Sequence, residues 1–230
     1  MSELTAELDS MIESRLAGCQ QVKWFPDRWT RAFEGTPFFD DLLQLIPRGQ
    51  SMGSQAYIKR EQIYEKRNQD LFVTFLATMI WGRGPDNRGP KLTLRMMNRA
   101  GFDDIIQNLA GHAKSSQPQE AFRALFSAGR PRLPRLGVSF GTKVLHAFGY
   151  KDSGVQPLVY DVLVFRALRS LHEDGAYPYD PQHPWRFMTG ESYGRYCAWA
   201  EEKSQGLGAE PTDVEYALFQ LGKTLSGQTR

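Results

Sequence analysis

Apolar residues recur at spacings of three and four along most of this chain, and this periodicity restricts the fold more than any other feature. Such spacing places apolar side chains on one face of an α-helix. Strands have little support, because no alternating runs of Val, Ile or Thr are bounded by hairpin turns. The sequence therefore predicts a nearly all-α fold. We expect helices over residues 3–16, 36–45, 69–81, 91–100, 102–109, 119–128, 141–148, 158–171, 190–203 and 211–225.

Glycine and proline mark three loops between these helices, over residues 47–54, 82–90 and 129–140. A chain of 230 residues is long enough for one globular unit, or for two small lobes that share a core. We expect a helical N-terminal segment, residues 1–68, to pack on a core formed by residues 69–225. Residues 226–230 are expected to be a frayed end.

Several functional classes are disfavoured by composition. No apolar run reaches the roughly 18–20 residues that a membrane span needs, and the first residues lack a signal-peptide pattern, which predicts a cytoplasmic protein. Two cysteines, Cys19 and Cys197, are too few for an iron–sulfur cluster or a cysteine-based zinc site. The four histidines show no metal-ligand spacing such as HExxH, so we expect no metal-dependent hydrolysis.

Positive charge is unevenly distributed, although the net charge is only +2. Residues 83–99 carry five basic side chains against one acidic side chain, and residues 130–143 carry four basic side chains and no acidic one. A basic tract is either an ordinary solvated surface or an electrostatic contact for nucleic acid. Charge alone does not decide between the two.

The second basic tract ends in a glycine-punctuated turn that leads into a short helix. Gly137 and Gly141 would let the backbone N–H groups of this turn point outward together. Such a concavity, backed by the positive end of a helix dipole, binds a phosphate without a charged side chain. An ordinary helix–helix turn has similar glycines, so the turn is a candidate phosphate site only.

Lys143 follows this turn, and Asp161 comes eighteen residues later at the start of an apolar helix. Asp161 has an ordinary interpretation as a helix N-cap, worth roughly 1 kcal/mol. The pair suggests more, because an amine and a carboxylate on the first turns of two connected helices can face one cleft.

Gly141-Thr142-Lys143, followed after eighteen residues by Asp161-Val-x-Val, resembles the hairpin lysine and catalytic aspartate of the 8-oxoguanine DNA glycosylase branch of the helix-hairpin-helix glycosylases. The resemblance covers about residues 69–222. It implies a monomer with two helical lobes that flank an active-site cleft. The hairpin would grip a phosphate of double-stranded DNA beside a modified base. A monovalent cation, K⁺ or Na⁺, held by hairpin carbonyls would be the only cofactor.

The resemblance also implies the chemistry. In this branch the lysine attacks C1′ of a flipped nucleotide, while the aspartate activates the amine and stabilises positive charge on the sugar. Lys143 would be the nucleophile and Asp161 its partner. The resulting Schiff base permits strand cleavage by β-elimination, so the enzyme would be a glycosylase with lyase activity. A protein that acts on DNA in the cytoplasm would be associated with the nucleoid.

The last predicted helix carries a second correspondence with the branch. There the branch reads the base edge with a polar residue, typically Gln, and stacks a Phe on the base one helical turn later. Glu215 and Phe219 match this spacing, although Phe219 also suits an ordinary core position. The carboxylate of Glu215 only accepts hydrogen bonds, which favours a base edge rich in N–H donors.

The chain differs from the branch in its hairpin and in the residues that would fill the gap left by the flipped base. The hairpin lacks the usual proline and gains an aromatic residue, Phe140, which we expect beside the base. Where the branch places asparagines that fill the hole left by the base, this chain has the loop 82–90, with Asn87 and Arg88 as candidate wedge residues. Further DNA contacts are expected from Gly137, Ser139, Gly141, Thr142, Arg83 and Arg135.

Three alternatives stay open from the sequence. In a monofunctional enzyme that uses water and Asp161, Lys143 would be only a phosphate contact. A pocket for a hypermodified base, such as the glucosylated hydroxymethylcytosine of some bacteriophages, would make the protein an antiviral defence enzyme; Glu215 and the glycine-rich loop keep this open. The third alternative is a non-catalytic helix-hairpin-helix DNA-binding module, against which the presence of both Lys143 and Asp161 argues.

Overall fold

The computed structural model describes residues 3–47, 54–67, 70–115, 117–127, 129–152, 154–178 and 189–227. Within these ranges the chain forms twelve α-helices, one 3₁₀ turn and two antiparallel sheets of two strands each. The predicted all-α fold class is confirmed. None of the helices in these ranges is both long and apolar enough to cross a membrane. The predicted loop 47–54 and the predicted frayed end lie largely outside the described residues.

The elements follow in this order: α1 (Glu3–Glu13), the 3₁₀ turn (Ala17–Cys19), β1 (Gln21–Trp24), α2 (Pro26–Phe33), α3 (Phe39–Leu43), β2 (Ala56–Lys59), α4 (Arg60–Lys66), α5 (Leu71–Arg83), α6 (Gly89–Met97), α7 (Phe102–Lys114), α8 (Pro118–Ala124), β3 (Phe126–Ser127), β4 (Arg130–Pro131), α9 (Val138–Gly149), α10 (Val162–Glu173), α11 (Gly190–Gly206) and α12 (Pro211–Leu225).

Helix α5 runs through the core, and every residue from Val73 to Trp81 is buried. Its sequence is apolar on all sides, which is typical of a helix enclosed by others. Asp70 caps its start, because the Oδ1 atom accepts hydrogen bonds from the amides of Phe72 (2.6 Å) and Val73 (3.1 Å). The helix ends at Gly84, whose φ of +53° favours glycine. The last turn of α5, residues 81–83, lines the pocket that is described in the next subsection.

The N-terminal part contains a small sheet that the sequence did not predict, so residues 1–68 are not helical throughout. Strand β1 pairs with β2, with Gln21 opposite Lys59. Burial alternates along β2, where Ala56 and Ile58 are buried and Tyr57 is exposed. Four residues are too few for this alternation to stand out in a sequence. Helices α2 and α4 were also missed, because their eight and seven residues are fewer than the window in which helical periodicity stands out.

The region before α9 is not the expected succession of helix, turn and helix. Helix α8 ends at Ala124, and the β3–β4 hairpin and an irregular turn follow it. Pro131 and Pro134 lack a backbone donor, which prevents a continuous helix here. The buried side chains of Leu133 and Leu136 anchor the turn, and the amide of Leu136 donates to the carbonyl of Leu133 (3.0 Å).

Helix α9 begins at Val138, three residues before the predicted start. Gly141 therefore lies inside the helix, where its amide donates to the carbonyl of Gly137 (2.7 Å). The expectation that the amide of Gly141 points outward from a turn is wrong. Glycine is required there for space, because a Cβ would lie 2.7 Å from the side chain of Leu125.

Residues 158–161 are extended, whereas the sequence predicted a helix from residue 158. Two tyrosines of α11 hold this segment. The hydroxyl of Tyr193 donates to the carbonyl of Leu158 (2.6 Å), and that of Tyr196 donates to the carbonyl of Val159 (3.0 Å). These tertiary hydrogen bonds satisfy the backbone in place of helical ones. Helix α10 therefore begins only after Asp161.

Helices α10 and α12 pack with their backbones in contact. A Cβ on Gly222 of α12 would lie 2.1 Å from the carbonyl oxygen of Leu163 in α10. Only glycine permits this approach. The contact fixes α12, which carries Glu215 and Phe219, against the helix that Asp161 begins.

Candidate active site

Lys143 and Asp161 lie side by side. Lys143 is in the second turn of α9, and Asp161 directly precedes α10. The Nζ atom of Lys143 is 3.5 Å from Oδ2 of Asp161 and 3.3 Å from Oγ of Ser139. Only 12% of the lysine side chain and 14% of the aspartate side chain are exposed. An amine and a carboxylate thus meet where their attraction is stronger than in bulk water.

Asp161 uses its two carboxylate oxygens for different contacts. Oδ1 accepts hydrogen bonds from the amides of Leu163 (3.0 Å) and Val164 (3.2 Å), which caps α10. Oδ2 faces Lys143. The N-cap interpretation and the catalytic interpretation are therefore compatible, since the capping bonds hold the carboxylate toward the amine.

Thr142 joins the two segments and does not contact the solvent. Its side chain is fully buried. The hydroxyl donates to the carbonyl of Val138 (2.9 Å) and accepts a hydrogen bond from the amide of Tyr160 (3.0 Å). This bridge connects the residue before Lys143 to the residue before Asp161. The expected DNA contact of Thr142 is wrong, because its polar atom is enclosed and already used.

A pocket of about 260 Å³ opens beside the lysine and the aspartate. Its wall combines aromatic and apolar surface with a few polar groups, as small-molecule sites do. These groups come from distant parts of the chain. The pocket is lined by Gln20, Val22, Trp81, Gly82, Arg83, Gly84, Pro85, Lys143, Val159, Asp161, Glu215 and Phe219.

Glu215 lines the pocket, but its carboxylate already has a partner. Its Oε2 atom accepts a hydrogen bond from Nη2 of Arg60, and only 3% and 1% of the two side chains are exposed. Burial raises the pKa of Glu215, and the guanidinium of Arg60 opposes this rise. Arg60 therefore occupies one oxygen of the carboxylate that was predicted to read the base edge, and the contact of Glu215 with a base stays a prediction.

A buried histidine extends this network behind the pocket. The Nε2 atom of His146 is 2.9 Å from Nη2 of Arg60 and 2.7 Å from the hydroxyl of Tyr64. Its Nδ1 atom is 2.8 Å from the carbonyl oxygen of Pro157. A carbonyl only accepts, so Nδ1 carries the proton and Nε2 is the acceptor. Burial lowers the pKa of His146 well below its ordinary value, which keeps the imidazole neutral.

Two N–H groups at the pocket have no hydrogen-bond acceptor within the part of the chain that is described: Nε1 of Trp81 and Nε of Arg83. A buried donor without a partner costs about 1–3 kcal/mol. Burial also lowers the pKa of Arg83.

Phe140 packs on Arg83 and is not part of the pocket wall. The guanidinium of Arg83 lies 4.0 Å from the centre of the Phe140 ring, a cation–π contact. A Cβ on Gly82 would lie 2.8 Å from the same ring, so Phe140 covers the last turn of α5. The structure therefore places Phe140 behind a pocket residue rather than beside the base.

The start of α9 is open to a ligand. Gly137 is its N-cap residue and provides no side-chain capping bond, so the helix N-terminus keeps its attraction for anions. Arg135, in the preceding turn, is exposed and has a φ of +70°. Such a conformation is uncommon for a residue other than glycine. The hydroxyl of Ser139 is near Lys143, as described above.

The predicted monovalent cation would need free carbonyl oxygens in the turn before α9. Those of Leu133, Gly137 and Val138 accept hydrogen bonds from the chain itself. Carbonyl oxygens suit such an ion, and the site stays a prediction on which no chemical step depends.

Asn87 and Arg88 lie in the short loop between α5 and α6, and both are exposed. The guanidinium of Arg88 is 3.4 Å from Oδ1 of Asp86, and Arg83 approaches the same carboxylate at 3.9 Å. Neither Asn87 nor Arg88 lines the pocket. The structure does not bring them to Lys143, and the wedge role stays a prediction.

Sequence reasoning missed Arg60 and Gln20. The side-chain oxygen of Gln20 accepts a hydrogen bond from Nη1 of Arg60 (3.4 Å). One signal was available, because Arg60, Ile63 and Tyr64 share a helix face by their spacing. An arginine on an apolar face is a buried cation that needs a partner.

A comparison with protein-family models matches residues 16–219 to the family described as "Putative 8-oxoguanine DNA glycosylase OGG-like protein". The matched range contains Lys143, Asp161 and every residue of the pocket wall. It also contains β1 and α4, which the resemblance seen in the sequence did not include. Searches of curated proteins and of solved structures gave no match.

Proposed function

Since the chain belongs to the OGG-like family of DNA glycosylases, we propose that it excises an oxidised base related to 8-oxoguanine from double-stranded DNA and then cleaves the strand as a lyase. One observation carries this proposal. The amine of Lys143 and the carboxylate of Asp161, 3.5 Å apart, border a pocket of about 260 Å³.

In the proposed reaction Asp161 accepts a proton from the ammonium group of Lys143. The freed amine forms a bond to C1′ as the bond from C1′ to the base breaks, and the electron pair leaves with the base. Asp161 passes the proton to the departing base, and its carboxylate stabilises the positive charge that develops on the sugar. The secondary ammonium of Lys143 gives a proton to the ring oxygen as the C1′–O4′ bond breaks, which leaves a protonated Schiff base. Asp161, ionised again, removes a proton from C2′, and the electron pair of that C–H bond expels the 3′ phosphate by β-elimination.

Base recognition in this proposal follows from the pocket wall. The extruded base stacks near Phe219 and lies beside Trp81 and Arg83, which line the same pocket. Extrusion costs a few kcal/mol, which contacts at the hairpin would offset.

The size of the pocket bears on the alternative substrates. About 260 Å³ is below the roughly 300–1,000 Å³ of pockets that hold drug-sized ligands. This supports a base of ordinary size over a base that carries a sugar. A hypermodified phage base remains the comparison substrate in the test below.

The test is borohydride trapping on duplexes that contain 8-oxoguanine, glucosylated hydroxymethylcytosine or no modification. We expect the wild-type protein to form a covalent complex with the 8-oxoguanine duplex. Lys143→Gln removes the nucleophile and abolishes trapping. Asp161→Asn slows base release by about 10²–10⁴-fold. Lys151→Gln is the matched control, because Lys151 is exposed and pairs with Glu210 away from the pocket.

Three outcomes contradict parts of the proposal. Full lyase activity of Lys143→Gln rejects the assigned nucleophile. Base release by the wild-type protein without trapping indicates a monofunctional enzyme that uses water. Release of no base from any duplex leaves only DNA binding.

A further inference from the structure

A second concave surface lies between α2 and α6, outside the pocket. It has a volume of about 390 Å³ and is lined by Arg28, Arg31, Ala32, Asn87, Pro90 and Lys91. We call it the α2–α6 groove. Three of its six lining residues are cations, and none is a carboxylate. The cations come from two helices about sixty residues apart in sequence, so the basic tract 83–99 accounts for only part of the groove.

The groove borders the active-site pocket through one shared loop. The Nη1 atom of Arg28 donates to the carbonyl of Pro85 (3.1 Å), and Pro85 lines the pocket. The guanidinium of Arg28 also lies 4.0 Å from the centre of the Phe25 ring. Arg28 is therefore held in place, and it attaches α2 to the loop that separates the groove from the pocket.

The other two cations of the groove, Arg31 and Lys91, are exposed and are not held in ion pairs by the described residues. The nearby carboxylate of Asp86 is already engaged, since it accepts a hydrogen bond from the amide of Arg88 (3.0 Å) and faces the guanidinium of the same residue. Uncompensated positive charge in a groove attracts an extended polyanion.

We propose that the α2–α6 groove binds the phosphodiester backbone of the duplex beside the flipped nucleotide. Arg31 and Lys91 contact phosphates, and Asn87 donates its side-chain amide to a phosphate or sugar oxygen instead of filling the gap left by the base. Backbone contacts of this kind set the position of the protein on DNA without reading sequence. The assignment rests on the proposed function, because it takes the pocket as the place where the nucleotide is received.

The experiment measures the affinity for a fluorescent undamaged duplex over a range of salt concentrations. Each phosphate contact contributes about −0.9 to the slope of log K against log salt, so the double variant Arg31→Gln/Lys91→Gln is expected to reduce the magnitude of this negative slope by about 1.8. Its affinity for undamaged and lesion duplexes should fall by the same factor. The charge-preserving double variant Arg31→Lys/Lys91→Arg should keep the wild-type slope.

The control is Lys114→Gln/Arg169→Gln, which removes the same charge from α7 and α10, outside the groove. Its slope should stay close to that of the wild-type protein. The proposal is overturned if the groove variant keeps the wild-type slope, or if the control reduces the magnitude of the slope equally. This result can be distinguished from failure of the proposed function. Failure of the proposed function appears as a lack of borohydride trapping by the wild-type protein, whatever the salt slopes are.

Discussion

At the residue scale, the charged side chains that meet at the pocket form two pairs, Lys143 with Asp161 and Arg60 with Glu215. Lys143 and Asp161 are found 3.5 Å apart, as their positions after a turn and before a helix suggested, while their chemical roles stay predictions. Arg60 pairs with Glu215 across 155 positions of sequence. No local pattern encodes such a partner, because it exists only once α4 and α12 are packed.

We expect Arg60→Met to destabilise the protein in a pH-dependent way. Removing one partner of a buried ion pair costs about 3–5 kcal/mol, because the other charge is left uncompensated. Burial already raises the pKa of Glu215, and loss of Arg60 removes the contacts that oppose this rise. The folded variant then holds a proton that the unfolded chain releases, so stability falls as pH rises through the raised pKa. Urea unfolding should show a larger loss at pH 8 than at pH 5.

A double variant separates this charge effect from a packing effect. Arg60→Met/Glu215→Gln removes the titrating group, and its loss of stability relative to the wild-type protein should be nearly the same at both pH values. An equal loss at pH 5 and pH 8 in the single variant would show that Arg60 acts only by filling space.

At the element scale, helix bounds were predicted well where local sequence determines them and poorly where tertiary contacts do. Helix α12 was predicted at its observed bounds, Pro211–Leu225, because Pro211 marks its start and its apolar periodicity is local. Helix α10 begins four residues later than predicted, since the hydroxyl groups of Tyr193 and Tyr196 bind the backbone of the preceding segment. A tertiary contact therefore overrides a local propensity, which a sequence pattern does not reveal.

The close packing of α10 and α12 gives a second prediction. Gly222→Ala places a methyl group against the backbone of Leu163, so α12 must move away from α10. We expect a loss of about 1–3 kcal/mol in unfolding free energy, typical of overpacking, together with slower base release because Glu215 and Phe219 move with α12. Chemical denaturation and single-turnover excision measure the two effects.

Gly111→Ala is the matched control for this change. Gly111 lies in the middle of α7, is exposed, and has no atom within 4 Å of an added Cβ. Replacing it should raise stability by about 0.5–1 kcal/mol through helix propensity alone. Similar behaviour of the two alanine variants would argue against the tight α10–α12 contact.

At the scale of the whole molecule, one buried apolar cluster connects the described elements from Leu8 in α1 to Leu221 in α12. The pocket has the same long-range character, because Gln20 near the N-terminus and Phe219 near the C-terminus both line it. Periodicity predicted the helices that supply this core. It does not give their arrangement, so the sequence indicated candidate reactive residues and not the residues that enclose them.

The reactivity of the two cysteines measures whether this core is closed. Cys19 is exposed, whereas Cys197 is buried and its burial raises the pKa of the thiol to about 12. We expect one thiol of the native protein to react rapidly with a disulfide reagent. Cys197 should react only when the core opens. A duplex with an abasic-site analogue, at about 100 times its Kd, should slow that second reaction by about a hundredfold.

The single variant Cys19→Ser isolates the slow reaction of Cys197. Rapid labelling of Cys197 in this variant would contradict its burial. A slow rate that the duplex leaves unchanged would mean that α11 opens independently of the DNA site.

The hydrogen bond between Thr142 and the Tyr160 backbone has an evolutionary consequence. The two proposed reactive residues, Lys143 and Asp161, directly follow the two residues that form this hydrogen bond. Either reactive residue can therefore be replaced while the hydrogen bond and the helices that it joins persist. A descendant of this protein could lose its chemistry by one substitution and still keep its shape and its grip on DNA. Inactive relatives with an intact Thr142 and an altered residue 143 are therefore an expected product of divergence.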